Sequence, residues 1–290
     1  MNESELLKKI LPVFHIASDV TVPPGDDCAM LEFGGKYLLA AADQLISNVH
    51  YLYDTAPELV AAKLLKRNLS DIAAMGGTPL WMLLAISNGR RDIEWVRRFV
   101  AGAEKIAEEY NVPIVGGDTS SLPAEVFSAS LTIAGSAETP VLRSGAKPQD
   151  LLYVTGLIGN SFASEHHLDF IPHLEQGRLL NSCASAMMDV SDGLLLDAKR
   201  MAMASNVDFY FELSKIPLRK GAALSQALGD GEDYCLLFTC DSKIDVKKLF
   251  SDHKIKFLPV CIGKVEAGNG TLYDAETGKP ITLEHSGYEH

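Results

Sequence analysis

Apolar positions recur along the chain with two alternating periods, and this alternation predicts strands and helices in turn. Apolar runs at 28–33 and 36–43, separated by Gly34-Gly35, predict a β-hairpin. A helical period follows at 56–75, with a capping-box start at Thr55-Ala56-Pro57-Glu58 and a glycine stop at Gly76-Gly77. Further strands are expected at 80–87, 112–116, 126–135, 151–155, 186–190, 207–212, 233–240, 257–263 and 271–273, and further helices at 2–11, 92–110, 160–168, 174–184, 193–205, 219–228 and 243–250. The pattern predicts layered α/β or α+β units.

A polar stretch from Thr139 to Asp150, rich in Pro and Gly, interrupts this alternation. A chain of 290 residues is long enough for about two domains. We therefore expect one domain at 1–138 and a second at 139–290.

Composition narrows the class of protein. The net charge is −12, and no basic run or stripe is visible, which argues against a nucleic-acid or anionic-membrane partner. The five cysteines form no CxxC pair, as expected for free thiols in a reducing compartment. We find neither a signal-peptide pattern nor an apolar run of about 18 residues, so the sequence predicts a cytoplasmic protein.

Acidic residues in short turns are the main candidates for chemistry. They lie in Gly25-Asp26-Asp27, Ala42-Asp43-Gln44, Asn68-Leu69-Ser70-Asp71, Gly116-Gly117-Asp118-Thr119, Asp189-Val190-Ser191-Asp192-Gly193 and Gly231-Glu232-Asp233-Tyr234. A single Asp of this kind is usually a turn former or a helix cap, and Asp192 has the position of an N-cap. So many acidic turns at strand ends indicate convergence on one site.

Converging carboxylates repel one another unless cations neutralise them. Hard oxygen donors favour Mg²⁺, and Mg²⁺ on carboxylates usually serves substrate phosphates. The two glycines before Asp118 allow a close backbone approach to a ligand. P-loop and Rossmann motifs are absent from the sequence, so the phosphate site has to be of another kind.

These motifs occur in the order typical of a known family. The strings are Gly25-Asp26-Asp27, Asn68-Leu69-Ser70-Asp71-Ile72-Ala73-Ala74-Met75-Gly76, Gly116-Gly117-Asp118-Thr119, Arg143-Ser144-Gly145-Ala146-Lys147-Pro148, Val154-Thr155-Gly156, Ser191-Asp192-Gly193-Leu194, Gly231-Glu232-Asp233-Tyr234 and the tail Leu283–His290. In this the chain resembles the thiamine-monophosphate kinases, which belong to the aminoimidazole ribonucleotide synthetase-like superfamily.

The resemblance implies an α/β (α+β) protein with a two-domain synthetase-like fold. Its N-terminal sheet-plus-helices domain would form a homodimer, and an α/β sandwich would follow. ATP and Mg²⁺ would bind in the cleft, and the ATP γ-phosphate would pass directly to thiamine monophosphate, giving thiamine diphosphate.

Site residues carried over by the resemblance fall into four groups. The implied Mg²⁺ ligands are Asp26, Asp27, Asp43, Asp71, Asp118 and Asp192. Asp192, Asp118 and Asp26 would be catalytic. The implied ATP contacts are Gly116, Gly117, Asp118, Arg143 and Ser191. His50 and Tyr288 would contact the thiamine substrate.

The chain departs from the family pattern on the substrate side. The segment 44–48 is substituted, Cys235 stands where Glu normally follows Glu-Asp-Tyr, and the stretch 159–189 is short. Two alternatives therefore stay open: another ATP-dependent enzyme of the superfamily with a different phosphorylated acceptor, and a non-catalytic binder of nucleotide or thiamine phosphate.

Overall fold

Two six-stranded sheets organise the chain. The structure, a computed structural model, describes residues 3–16, 18–22 and 24–282. The first sheet has the order β1-β2-β3-β6-β4-β5. Its strands are β1 (Val20–Val22), β2 (Ala29–Phe33), β3 (Lys36–Ile46), β4 (Thr78–Asn88), β5 (Ile114–Ser121) and β6 (Phe127–Ala137).

Pairing in this first sheet is antiparallel except at one edge. Strands β2 and β3 form the expected hairpin, and Asp43 of β3 pairs with Leu131 of β6. Strand β5 runs parallel to β4, with Asp118 opposite Ala85. A parallel pair requires a crossover, which α3 (Ile93–Tyr110) provides.

The second sheet has the order β12-β9-β11-β7-β10-β8. Its strands are β7 (Asp150–Val154), β8 (Ala184–Asp189), β9 (Val207–Phe211), β10 (Leu236–Asp241), β11 (Val260–Ala267) and β12 (Leu272–Asp274). Strand β8 lies at an edge and pairs with β10, so that Asp189 at its end lies opposite Leu236.

Helix α2 (Pro57–Ala74) connects the two halves. It contacts β3, β4 and β6 of the first sheet, and also β8 and α5 (Leu174–Leu180) from the second half of the chain. Most of its apolar residues, Leu64 and Leu69 among them, are buried in a core that also contains Phe238 of β10. The helix therefore places Asp71, in its last turn, between the halves. The remaining helices are α1 (Glu3–Ile10), α4 (His166–Asp169), α5 (Leu174–Leu180), α6 (Leu194–Ser205), α7 (Leu224–Gly229) and α8 (Val246–Asp252).

The predicted mixed fold of two sheets with helices is confirmed, while several local predictions are wrong. Helix α2 begins with Pro57 in its first turn, but its N-cap is Ala56 and no side chain caps it, so the capping box is absent. Strand β5 was expected to end at 116 and instead continues through the glycines to Ser121. The helix expected at 160–168 is limited to four residues. Within the described residues, no helix is both long and apolar enough to cross a membrane.

Candidate functional site

Three carboxylates from distant parts of the chain meet where the two sheets approach each other. Asp27 precedes β2, Asp71 lies on α2 and Asp189 ends β8. One oxygen from each lies within 4.8 Å of the others. The carboxylate cluster, as we call these three residues, is therefore built from both halves of the molecule.

Burial makes the ionised form of the cluster unfavourable. Desolvation raises the pKa of Asp71 and of Asp189 well above the usual carboxyl range, and neighbouring carboxylates, Asp27 among them, raise both further. The Ser70 hydroxyl donates to Asp189 Oδ2 at 2.6 Å and opposes this shift. Burial and the charge of Asp27 also raise the pKa of Asp26, to about 6. A bound cation would reverse this preference, because it favours the ionised carboxylates.

Arg143 supplies positive charge on one side of the cluster. Its backbone N–H donates to Asp26 Oδ2 at 3.0 Å, and its guanidinium donates to Asp27 Oδ1 at 2.9 Å and Oδ2 at 3.2 Å. The Asp27 side chain has no solvent exposure. Arg143, expected to contact ATP, therefore holds two of the expected metal ligands in place.

Arg67 supplies positive charge on the other side. It lies on α2, one turn before Asp71, and donates to Asp43 Oδ1 at 3.1 Å. The charge of Asp43 is among those that raise the pKa of Asp71, and that of Arg67 lowers it. Four of the predicted ligands, Asp26, Asp27, Asp43 and Asp71, are thus brought into one electrostatic neighbourhood.

Asp192 lies at the edge of this neighbourhood, beside a separate buried carboxylate. Its side chain pairs with Arg200, and the backbone N–H groups of Ser191 and Asp192 donate to Asp197 Oδ2 at 3.0 Å each. Burial and the charge of Asp192 raise the pKa of Asp197 to about 7. The N-cap of α6 is Gly193 and has no side-chain cap, so the alternative reading of Asp192 as a helix cap is wrong.

Gly116, Gly117 and Asp118 do not join the carboxylate cluster found in the described part of the chain. All three are exposed on the edge strand β5 rather than in a turn. A Cβ on Gly117 would lie 1.7 Å from the carbonyl oxygen of Leu84, so the close approach of β4 requires glycine there. At Gly116 a Cβ would meet only Leu83 Cδ2, at 3.4 Å, so packing does not require glycine there. Access for a ligand remains the predicted benefit of Gly116.

His50 is held in place by two hydrogen bonds, one to its ring and one to its carbonyl oxygen. Its Nδ1 accepts the N–H of Ile46 at 3.0 Å, and its carbonyl oxygen accepts from Lys63 Nζ at 2.6 Å. Lys63 has no solvent exposure and also pairs with Glu232. The loop after β3 is thus fixed to the acidic turn 231–234. Tyr288, the other predicted substrate contact, lies outside the described residues.

Two cavities lie near these segments: one is lined from Leu52 onward, two residues after His50, and the other includes Asp233 of the acidic turn. One of about 570 Å³ lies between the segments 52–59 and 162–168, and Leu52, Phe162 and His167 contribute to its lining. The other, of about 300 Å³, is lined by Cys235 and His173 among others. Its position puts the substituted residue Cys235 on a cavity wall.

Sequence reasoning missed several residues of this site. Asp189 was recognised as part of an acidic turn but not as a ligand, although it ends a strand and Asp27 lies shortly before one. Lys63 and Arg67 carried a signal that could have been used. Both are charged residues on a helix that is largely apolar and buried, and such residues are buried only when paired.

Mg²⁺ fits this donor set. The cluster offers only carboxylate oxygens, which are the hard ligands that Mg²⁺ prefers, and its buried acids gain from a cation. Asp27, Asp71 and Asp189 would hold such an ion, with Asp26 and Asp43 beside them.

Comparisons with known proteins agree over nearly the full chain. A family model described as AIR synthase related protein, N-terminal domain, matches residues 25–137. The thiamine-monophosphate kinase of Buchnera aphidicola subsp. Schizaphis graminum is 34% identical over 298 residues, covering 92% of this chain and 91% of that protein. That of Salmonella typhimurium is 34% identical over 306 residues, covering 94% and 92%. A solved structure, AaThiL complexed with AMPPCP and TMP, superposes with a TM-score of 0.86 at 29% identity, covering 100% of this chain and 97% of that one.

Proposed function

This chain belongs to the thiamine-monophosphate kinase family, and on that premise we propose that it phosphorylates thiamine monophosphate with ATP. The bond between the γ-phosphorus and the β,γ-bridging oxygen breaks, a phosphate oxygen of thiamine monophosphate bonds to that phosphorus, and ADP leaves. The observation that carries the proposal is the buried carboxylate cluster, which lies between two sheets in a chain similar throughout to such kinases.

A direct transfer suits these side chains. Phosphoryl transfer through a loose transition state needs alignment and charge neutralisation more than covalent chemistry. The acceptor is a phosphate monoester and is already anionic, so no strong general base is required. His173 fits this view, because burial lowers its pKa to about 4 and leaves it neutral.

Mg²⁺ is proposed as the cation of the carboxylate cluster, and its chemistry there would be neutralisation and alignment of the phosphate chain. Asp26 and Asp43 lie beside the carboxylate cluster, and each accepts a hydrogen bond from an arginine, Asp26 from Arg143 and Asp43 from Arg67. We keep Asp118 and Asp192 as proposed metal-side and catalytic residues. Asp192 is supported by its place beside Asp197, and Asp118 by the family motif alone.

ATP is the proposed phosphoryl donor, and AMPPCP, the ATP analogue in the structurally similar chain, supports it. The proposed contacts are Arg143, Ser191 and the strand at Gly116-Gly117. Strand β5 is an edge strand, and consecutive N–H groups of a strand point to opposite sides, so one of these two glycines directs its N–H away from β4 with no side chain in the way. Once cations neutralise Asp26 and Asp27, the positive charge of Arg143 can attract a phosphate group instead.

The acceptor side is proposed to include His50 and Tyr288. The rigid support of His50 by Lys63 and Glu232 favours a positioning role for its loop. The nearby cavity of about 570 Å³ is large enough for the heteroaromatic part of a thiamine phosphate.

We also propose a homodimer, a division into domains at 138/139 and a cytoplasmic location without nucleic-acid or membrane partners. The dimer is supported by exposed apolar residues on neighbouring strands, namely Leu80, Trp81 and Leu83 on β4 and Val115 on β5. The division is supported by the change from the first sheet to the second between Ala137 and Asp150. Light scattering on the purified protein tests the dimer, and a monomeric mass would contradict it.

The experiment for the reaction is an acceptor comparison. The purified protein is incubated with ATP, Mg²⁺ and either thiamine monophosphate, thiamine or another phosphate monoester, and ADP and phosphorylated product are quantified. We expect ADP and thiamine diphosphate in equal amounts, only with thiamine monophosphate, and no product in excess EDTA. ADP release only with another acceptor would replace the substrate assignment, and ligand binding without turnover would leave a binding protein.

A further inference from the structure

Arg67 is a cation inside an acidic site, and its contacts are unusual for a structural arginine. Its side chain is 14% exposed. One Nη donates to Asp43 Oδ1 at 3.1 Å, and the other approaches the carbonyl oxygen of Gln44 at 3.4 Å, which is a weak contact. Its Nε is buried and has no hydrogen-bond partner among the residues that the structure describes. A buried guanidinium with an unused donor can accept a further anionic partner.

Arg67 also occupies a particular place on α2. Lys63, Arg67 and Asp71 follow at intervals of four residues and so lie along one face of the helix. Lys63 pairs with Glu232 and donates a hydrogen bond to the carbonyl oxygen of His50. Arg67 lies between that pair and Asp71 of the carboxylate cluster.

The surrounding charges hold Arg67 as a cation. Burial alone would lower its pKa, but Tyr234, Asp43, Glu232 and Asp71 together raise it above the usual arginine range. The guanidinium of Arg67 thus offsets the negative charge of Asp43, beside the further carboxylates of Glu232 and Asp71.

We propose that Arg67 is an internal counter-ion that occupies Asp43 until Mg²⁺ binds there, and then turns its guanidinium to the phosphate chain. A carboxylate bound to a metal has less need of an arginine partner, and a planar guanidinium matches phosphate oxygens in a bidentate way. Arg67 is therefore both a competitor of the cation for Asp43 and a phosphate-binding residue. The phosphate half of this proposal rests on the proposed kinase function, whereas the competition with Mg²⁺ does not.

The two roles predict opposite effects of one substitution. Arg67→Met keeps the length of the side chain and removes its charge. Mg²⁺ added without nucleotide should then bind about tenfold more tightly, since one nearby unit charge changes cation binding on this scale even at a partly screened site. Turnover with saturating ATP should fall roughly tenfold or more, because the phosphate chain loses its arginine.

The test combines calorimetry and steady-state kinetics. Mg²⁺ alone is titrated into the metal-free full chain, and kcat and KM for ATP are then measured. Arg67→Lys keeps a charge and should bind Mg²⁺ within about threefold of the wild type, with partial recovery of kcat. Arg97→Met, on the exposed face of α3, is the matched control and should change neither quantity. Arg67→Gln replaces Arg67→Met if the methionine variant does not fold.

Each outcome decides one half of the proposal. Unchanged or weaker Mg²⁺ binding in a folded neutral variant overturns the counter-ion role. Tighter Mg²⁺ binding with unchanged kcat overturns the phosphate role. If the wild type makes no thiamine diphosphate, the kinase function fails, while the Mg²⁺ titration still tests whether Arg67 competes for Asp43.

Discussion

Asp71→Asn should stabilise the metal-free protein while abolishing its response to Mg²⁺. In the wild type, Asp71 has two carboxylate neighbours whose oxygens lie within 4.8 Å. Each such pair repels by about 3.5 kcal/mol at an effective dielectric constant of 20. Proton uptake and the charge of Arg67 remove much of this, because burial already raises the pKa of Asp71 far above its usual value. We therefore expect a net gain of about 2 kcal/mol, or about 4 °C in Tm.

The assay is thermal unfolding near pH 7.5 in EDTA and again in millimolar Mg²⁺. Wild-type Tm should rise with Mg²⁺, because the ion binds only the folded chain, and the Asp71→Asn value should not. Asp252→Asn loses only an exposed pair with Lys248, and its Tm in EDTA should stay near that of the wild type. A metal-free Asp71→Asn protein less stable than the wild type by more than about 1 kcal/mol would refute the reasoning, since it would mean that the carboxylates are paired structural groups.

Three further results are expected. The pKa of Asp26 is raised to about 6, so protonation of its carboxyl group stabilises the folded protein fully below about pH 4, and this stabilisation is lost as the pH rises through 6. The free energy of unfolding of the metal-free protein should therefore fall by about 3 kcal/mol over that window. Mg²⁺ should flatten this pH profile. Asp192→Asn should reduce turnover at least roughly hundredfold while Tm stays within about 3 °C, because Arg200 keeps its second acidic partner; loss of folding would contradict the catalytic role. Lys63→Met should cost roughly 3 kcal/mol in chemical denaturation, since it leaves Glu232 without its buried cation, and a change below about 1 kcal/mol would rule this out.

Elements with strong local signals could be predicted from the sequence. Helix α2 has many apolar positions, Pro57 in its first turn and Gly76 in the left-handed region at its end (φ +65), so its predicted limits were nearly right. Its N-cap was not predicted correctly, because the helix begins one residue later than expected, and Ala56, which has no side-chain oxygen to accept an N–H of the first turn, occupies the capping position. Local propensity is overridden where tertiary contacts decide.

The glycine pair at 116–117 shows the same limit. Glycines usually mark a turn, which is why β5 was expected to end there. The structure continues the strand, since β4 lies so close that only glycine fits at 117. Nothing in the local sequence reports how near a neighbouring strand will lie.

The sequence could predict that the site is an acidic metal site, but not every residue that forms it. Asp26, Asp27, Asp43 and Asp71 were identified from their turns and from the family motif, and they do lie near one another. Asp189 joins them because β8 ends beside α2, which depends on the packing of one half of the chain on the other. Arg143 was expected from the family motif, and Arg67 is a charged residue on a largely apolar helix, but neither signal says which carboxylate the arginine will hold.

The most direct test of the kinase assignment is product formation by the wild type beside Asp189→Asn. Both proteins are freed of metal, returned to Mg²⁺ and incubated with ATP and thiamine monophosphate, and thiamine diphosphate is separated by chromatography. We predict one thiamine diphosphate per ADP from the wild type, none in EDTA, and a loss of at least roughly hundredfold in the variant. No thiamine diphosphate from a folded wild type that binds Mg²⁺ and ATP would contradict the assignment, and equal product from the variant would remove the carboxylate cluster from the reaction.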